Sequence, residues 1–319
     1  MLKRLLPLLL LASALRADEP MDVLALKGKE HAVERLVAIQ RMARPGDPLS
    51  ARALAAAYAR LEADPQSGFS PEEKVAMLQA MGSAREGAAG PCACRALSDA
   101  SRDVRRAALQ ALWDLRHPQA VPDLVSFLEA AGRNSLPSAP REDRVLGQED
   151  LAMCRKASAL LEILANGSQH FDPLSGDAER QIAVTRWRKW WEDNRAQARA
   201  DWQKKGFAEA GVQVQLPLDA GGVPALVEAL SEAKPAWVRE NALELLSSLP
   251  PPAPAAKVDQ PACAALAKGL ASSDAAVQRG SASALFRVLA AGGHGALPDP
   301  SGKGLVDGMR DWWAKHGGG

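Results

Sequence analysis

The chain has 319 residues, with 39 Lys and Arg against 38 Asp and Glu, and it is 47% hydrophobic but only 4% aromatic. That length and apolar fraction allow a sizeable core, which excludes global disorder. A formal charge of +1 removes the usual driving force for nucleic-acid binding, concentrated Lys and Arg facing phosphate.

Residues 1–17 come first. Lys3 and Arg4 precede an apolar run, Leu5–Leu11, broken only by Pro7, and small residues follow at Ala12, Ser13, Ala14 and Ala17. This order predicts a secretory signal peptide, too short to anchor in a bilayer. Cleavage is expected after Ala17, or after Ala14, where Ala12 and Ala14 give a small-x-small pattern. No Cys adjoins either site for lipid attachment. The mature chain is therefore expected to be exported, periplasmic or extracellular, slightly acidic, and without a further stretch able to span a membrane.

Helical signals follow. Ser70, Pro71, Glu72 and Glu73 combine an N-cap, a first-turn proline and a capping-box glutamate just before an apolar pattern at Val75. This makes Glu72 and Glu73 helix-start residues, not a pair of catalytic carboxylates. Residues 78–97 repeat as residues 109–128 at an offset of 31, with Leu78 on Leu109, Met81 on Leu112, Pro91 on Pro122 and Leu97 on Leu128. In the segment DVRRAALQAL from Asp103 and just beyond it, Val104, Ala108, Leu112 and Leu115 fall on one helical stripe. The segments VPDLVSFL from Val121 and VPALVEAL from Val223 each open with a proline suited to a first helical turn. The unit is two short helices joined by a tight turn.

Residues 132–149 interrupt a repeat with Pro, Ser and charged residues, an insertion expected to project as a surface loop. The segment AVTRWRKWWEDN from Ala183 then recurs as LVDGMRDWWAKH from Leu305, with Trp190 and Trp191 lying 122 residues before Trp312 and Trp313. Upstream of each copy is a loop containing Asp-Pro, at His170 and at Leu297. Between the copies, Val212, Val214 and Leu216 alternate with polar residues and read as a connector, not a sheet. WVRENALELL from Trp237 and AVQRGSASAL from Ala276 repeat the pattern of DVRRAALQAL from Asp103. Asp274 or Ser273 can cap the helix containing Val277, and Pro250, Pro251, Pro252 and Pro254 end a helix. The predicted division is a signal peptide at 1–17, a first half at 18–205 ending in the tryptophan-rich helix, a connector at 206–221, and a second half at 222–319.

The Val-Arg pairs at Val104–Arg105 and Val238–Arg239, the Ala and Leu positions after them, and the following VPxLVxxL helix resemble the HEAT-repeat family. The likeness is to its short bacterial form, also found in phycobilisome lyase-like proteins, and the two-half arrangement is similar to exported HEAT proteins of environmental bacteria. The AVQRGSASAL unit departs from the pattern, with Gln278 in place of Arg and a helix-weakening Gly280. The resemblance implies an all-α fold, an α-solenoid of HEAT-like helical hairpins in two related halves, presenting a binding surface. It transfers no catalytic residue.

The candidate interaction residues are Trp187, Trp190, Trp191, Trp312 and Trp313. Trp187 and Trp191 share a helix face, and Trp190 is displaced from Trp191 by about 100°. Either one face plugs the end of a repeat stack with the second ring at its rim, or Trp190 and Trp312 contact a partner or a glycan. No metal or cofactor is expected. Cys92 and Cys94 diverge on a helix, Cys94 aligns with the apolar Val125 as a buried thiol would, and the His at 31, 117, 170, 294 and 316 lack ligand spacing. Four Cys in an exported chain still permit three complete disulfide pairings. CxxCH, HExxH, GxSxG and phosphate-loop motifs are absent from the sequence. The expected function is a non-enzymatic protein-binding scaffold or adaptor. The alternatives are a lyase-like or chaperone protein for a small molecule, and a structural subunit of an envelope complex.

Overall fold

A computed structural model describes residues 20–44, 46–132, 147–218, 222–231, 233–248, 260–291, 297–299 and 304–316, and no strand occurs among them. The signal-peptide segment, most of the 132–149 insertion and the Pro250–Pro254 run lie outside the described residues. The protein is all-helical over the described residues, and it forms two compact units. One comprises the described residues up to Leu164 together with Gln169–Asp193, and the other Ala165–Ser168 with the residues from Asn194 onward.

The first unit holds α1 (Pro20–Leu24), α2 (Ala32–Met42), α3 (Pro48–Ala63), α4 (Pro71–Ala84), α5 (Gly90–Ala96), α6 (Arg102–Leu115) and α7 (Val121–Gly132). It also holds α8 (Gln148–Ala165) and α9 (Asp177–Asn194), each but for its last residue. Helices α2, α4 and α6 pack side by side, and α3, α5 and α7 form a second layer against them. Lys156 of α8 donates to Gln110 of α6, and Arg188 of α9 pairs with Glu129 of α7, extending each layer by one helix.

Local chemistry explains these elements. Asp47 caps α3, accepting from the Leu49 amide at 3.0 Å. Ser70 caps α4 in the expected box: its hydroxyl accepts from the Glu73 amide at 3.3 Å, and the Glu73 carboxylate accepts from the Ser70 amide at 2.9 Å. Both α4 and α6 end in a left-handed residue, Arg85 and Arg116, at matching positions of the repeat. Of the predicted stripe on α6, Val104, Ala108 and Leu112 are buried and Leu115 is half-buried. At the α4–α6 contact a Cβ on Gly82 would lie 2.9 Å from Ala111 Cα, so glycine permits the close approach of the two backbones.

Arg105 shares a structural role with Arg35 and Arg180: each is the fourth residue of its helix and turns back to donate to carbonyls of the loop that leads into it, whereas Arg239 of the other Val-Arg pair engages Asp274 at 2.9 Å. Arg105 donates to Asp99 O at 2.7 Å and Ala100 O at 3.0 Å. Arg180 donates to Ser175 O at 2.7 Å. Arg35 does the same to Gly28 O at 2.9 Å and also to Leu26 O at 2.9 Å. Arg35 further pairs with Glu73 through Nε at 2.5 Å and a terminal nitrogen at 3.1 Å, with both side chains fully buried. A buried ion pair of this kind is tolerable because all five guanidinium N–H groups and both carboxylate oxygens find a partner.

The second unit holds α10 (Arg199–Glu209), α11 (Val223–Ala229), α12 (Ala236–Ser247), α13 (Gln260–Gly269), α14 (Ala275–Ala291) and α15 (Leu305–His316). Helix α12 packs on α10 and α14, while α11 packs on α12 and α13, and α15 packs on α14. Arg310 of α15 donates to Leu270 O beyond the end of α13 at 2.8 Å. Gln278, the departure from the Arg pattern, occupies the fourth position of α14 and donates to Ser272 O at 2.6 Å, serving as a neutral loop latch. A Cβ at Gly280 would fall 2.1 Å from Leu243 Cδ2, the end of a side chain that would have to turn aside.

The division differs from the sequence reading, which ended the first half at 205 and treated 206–221 as a connector. Helix α10 belongs with the second unit, and Phe207, Val212 and Val214 are buried in its core. The alternation at 212–216 is therefore real burial, with the Val212 amide closing on Phe207 O at 2.8 Å instead of on a neighbouring strand.

Candidate binding groove

A groove of about 690 Å³ crosses α4, α6 and α8 of the first unit. Each helix contributes to it in the same register. The second helical position supplies a carboxylate, Glu72, Asp103 or Glu149. The fifth and sixth positions supply the floor, as Val75 and Ala76, Arg106 and Ala107, and Ala152 and Met153. The ninth position supplies a long polar side chain, Gln79, Gln110 or Lys156. Three ranks result because residues three to four apart share a helix face and the helices are repeats of one another.

Several charges along the groove are partnered. Asp103 pairs with Arg106 at 2.5 Å, both well exposed, and Glu149 pairs with Arg102 at 2.9 Å. Arg102 also reaches the buried Asp150 at 3.3 Å. Gln110 donates to Asp114 at 2.9 Å. Beyond the ninth rank, Trp113 carries Arg116 at 4.6 Å and Lys156 at 5.7 Å from its ring centre. Partial burial lowers the Lys156 pKa by stripping water from its ammonium, and the nearby Asp114 carboxylate opposes the shift. The groove holds no pairing of a nucleophile with a base. A second hollow of about 550 Å³ lies beside the 64–70 loop, where Lys74 is engaged with Asp99 at 2.6 Å and sits over the Phe69 ring.

Of the five tryptophans singled out from the sequence, three lie on α9 in the first unit and two on α15 in the second. Trp187 is 0% exposed and Trp312 is 9% exposed, which removes both from any contact face. Trp190 and Trp191 are half-buried on α9, with Trp190 edge-on to Trp187 at 5.9 Å between ring centres. Trp313 is half-buried against the core of the second unit, and Trp312 stacks on His316 at 4.7 Å.

All four cysteines are buried free thiols. Burial pushes the Cys94 and Cys154 thiols up to about 12, with Asp123 and Asp150 adding to the shift respectively. Among the described residues no group of three or more His, Cys, Asp and Glu is placed to hold a metal ion, and no helix is long and apolar enough to cross a membrane.

Motif reading passed over the groove, although its signal lay in the repeat. Glu72 and Gln79 map onto Asp103 and Gln110 at the offset of 31, and Glu149 and Lys156 keep the same internal spacing of seven. Arg35 gave less warning, since it follows Glu34 and not a valine. No protein-family model matches the chain, and no curated protein matches it.

Proposed function

We propose that this chain is a non-enzymatic protein-binding scaffold or adaptor, built as an α-solenoid of HEAT-like hairpins and working in the periplasm or outside the cell. The observation that carries the reading is the groove across α4, α6 and α8. It is a polar-edged surface whose floor is apolar but for Arg106, assembled from equivalent positions of successive hairpins, which is how stacked repeats make extended binding faces. The repeats in the sequence and the two layers of the first unit support the solenoid. The basic start, apolar run and small residues of 1–17 support export.

A photo-crosslinking residue placed at the exposed Ala152 of the groove, or at the exposed Ser126 on α7, tests the reading in the envelope fraction of the producing cell. A discrete crosslinked protein from the Ala152 position alone is the expected result. Equal labelling from both positions, or none from either, would sink the proposal.

A further inference from the structure

An asparagine followed by glycine readily loses its side-chain amide, because no Cβ on the glycine shields the backbone nitrogen that attacks. The chain holds one such pair, Asn166–Gly167, directly after α8. In the reaction the Gly167 nitrogen bonds to Asn166 Cγ, its proton passes through solvent to Nδ2, and Nδ2 leaves as ammonia. Water then opens the cyclic imide at either carbonyl, leaving an aspartyl or an isoaspartyl residue. Water is the only co-reactant, and nothing is oxidised or reduced.

The surroundings of Asn166 oppose each part of this reaction. Asn166 belongs to the second unit, is 0% exposed, and takes a left-handed φ of 50°, a conformation in which helices often end on asparagine. Its Nδ2, the leaving group, donates to Gln203 O of α10 at 2.6 Å. Its Oδ1 is buried with no hydrogen-bond partner among the described residues. Attack at Cγ would turn that oxygen into an oxyanion, and a negative charge in a dry site without donors is costly. Gly206 of α10 closes in as well: a Cβ there would lie 1.7 Å from Asn166 O and 2.8 Å from its Cγ. The α10 backbone thus hinders the side-chain rotation that attack requires. Packing asks nothing comparable of Gly167, where a Cβ would meet nothing within 4 Å.

We propose that Asn166–Gly167 is a masked deamidation site, inert while α10 covers it and reactive once that contact opens, and that the reaction bars the contact from re-forming. An aspartate at 166 sets a buried negative charge against Gln203 O, where the native amide supplies a donor. An isoaspartate also lengthens the main chain at the point where only a glycine fits opposite. Gln203 in turn donates to Asn241 of α12 at 3.0 Å, so the damage falls at the head of a buried amide chain. The modification is a one-way record of opening.

Peptide mass mapping of the mature chain, held at mildly alkaline pH in buffer and in urea beyond its unfolding transition, tests this. Conversion at Asn166 is expected to be at least about a hundredfold slower in buffer, since a covered site reacts only in proportion to its open population. Chain converted in urea and returned to buffer should fail to refold, or refold with a lower urea midpoint. Gly167→Ala adds a methyl in open space; it should slow conversion in urea and come through the same cycle with its midpoint intact. Equal conversion in buffer and urea, or no conversion at Asn166 in urea, overturns the inference. So does an unchanged midpoint in the converted chain, or an equal loss in the Gly167→Ala chain.

Discussion

Helices α9 and α15 carry the same WW signature in the same register, yet they bury it differently. Three residues before the WW pair, Trp187 in α9 and Met309 in α15 are both fully buried, so this position belongs to the core in both units. The next ring is half-buried as Trp190 in the first unit and 9% exposed as Trp312 in the second. The core of the first unit therefore takes the tryptophan three residues before the pair, and that of the second takes the first tryptophan of the pair together with Met309.

The two units also differ in their buried polar contacts. The first uses the Arg35–Glu73 ion pair. The second uses neutral amides: Asn166 donates to Gln203 O at 2.6 Å, Gln203 donates to Asn241 at 3.0 Å, and Asn241 donates to Trp237 O at 2.9 Å. A charged pair left half-removed strands a buried charge, whereas a broken amide chain strands only a dipole.

The largest effects should separate these devices. Arg35→Met is expected to cost about 3–5 kcal/mol by leaving Glu73 buried and uncompensated, and Asn241→Leu only about 1–3 kcal/mol through the stranded Gln203 amide, both measured by urea unfolding. Similar costs for the two would erase the contrast. Trp187→Ala should cost about 3–5 kcal/mol from the cavity it opens, and Trp190→Ala no more than about 1 kcal/mol, since its ring is already half in water. If Trp190→Ala proved the more damaging, the contrast between a core Trp187 and a rim Trp190 would be wrong.

The smallest effect concerns pH. Burial lowers the His117 pKa, with the nearby Asp123 carboxylate opposing the shift, and the ring packs where a Cβ on Gly90 would lie 2.5 Å away. The folded state thus holds the neutral imidazole, while the unfolded chain takes up a proton below about pH 6.5. Stability from this group is present above that pH and is lost as pH falls toward the folded pKa. His117→Gln should therefore flatten the acid side of the urea-midpoint profile, and an unchanged slope would show that the ring stays hydrated.

Helix existence was legible in the sequence because caps and apolar periodicity are local. Ser70 and Glu73 announced α4, and the repeat announced the hairpins. The reach of Arg35 was not legible, because its partners at Leu26, Gly28, Gly68 and Glu73 come together only when the α2 and α4 loops fold onto one another. The unit boundary was missed because α10 looks polar along its length, and only packing reveals that Phe207 is core. The tryptophans drew attention by rarity, yet rarity says nothing about which side of a helix faces solvent. The groove needed three helices read as columns, and the insertion at 132–149 hid the third from a fixed offset.

That insertion lengthens the chain between α7 and α8 without disturbing the ranks on the helices, since Glu149 and Lys156 keep the spacing of Glu72 and Gln79. On the proposed reading, a binding surface written one rung per hairpin can consequently grow or shrink by duplication or deletion of whole hairpins, while the joints between rungs are free to drift.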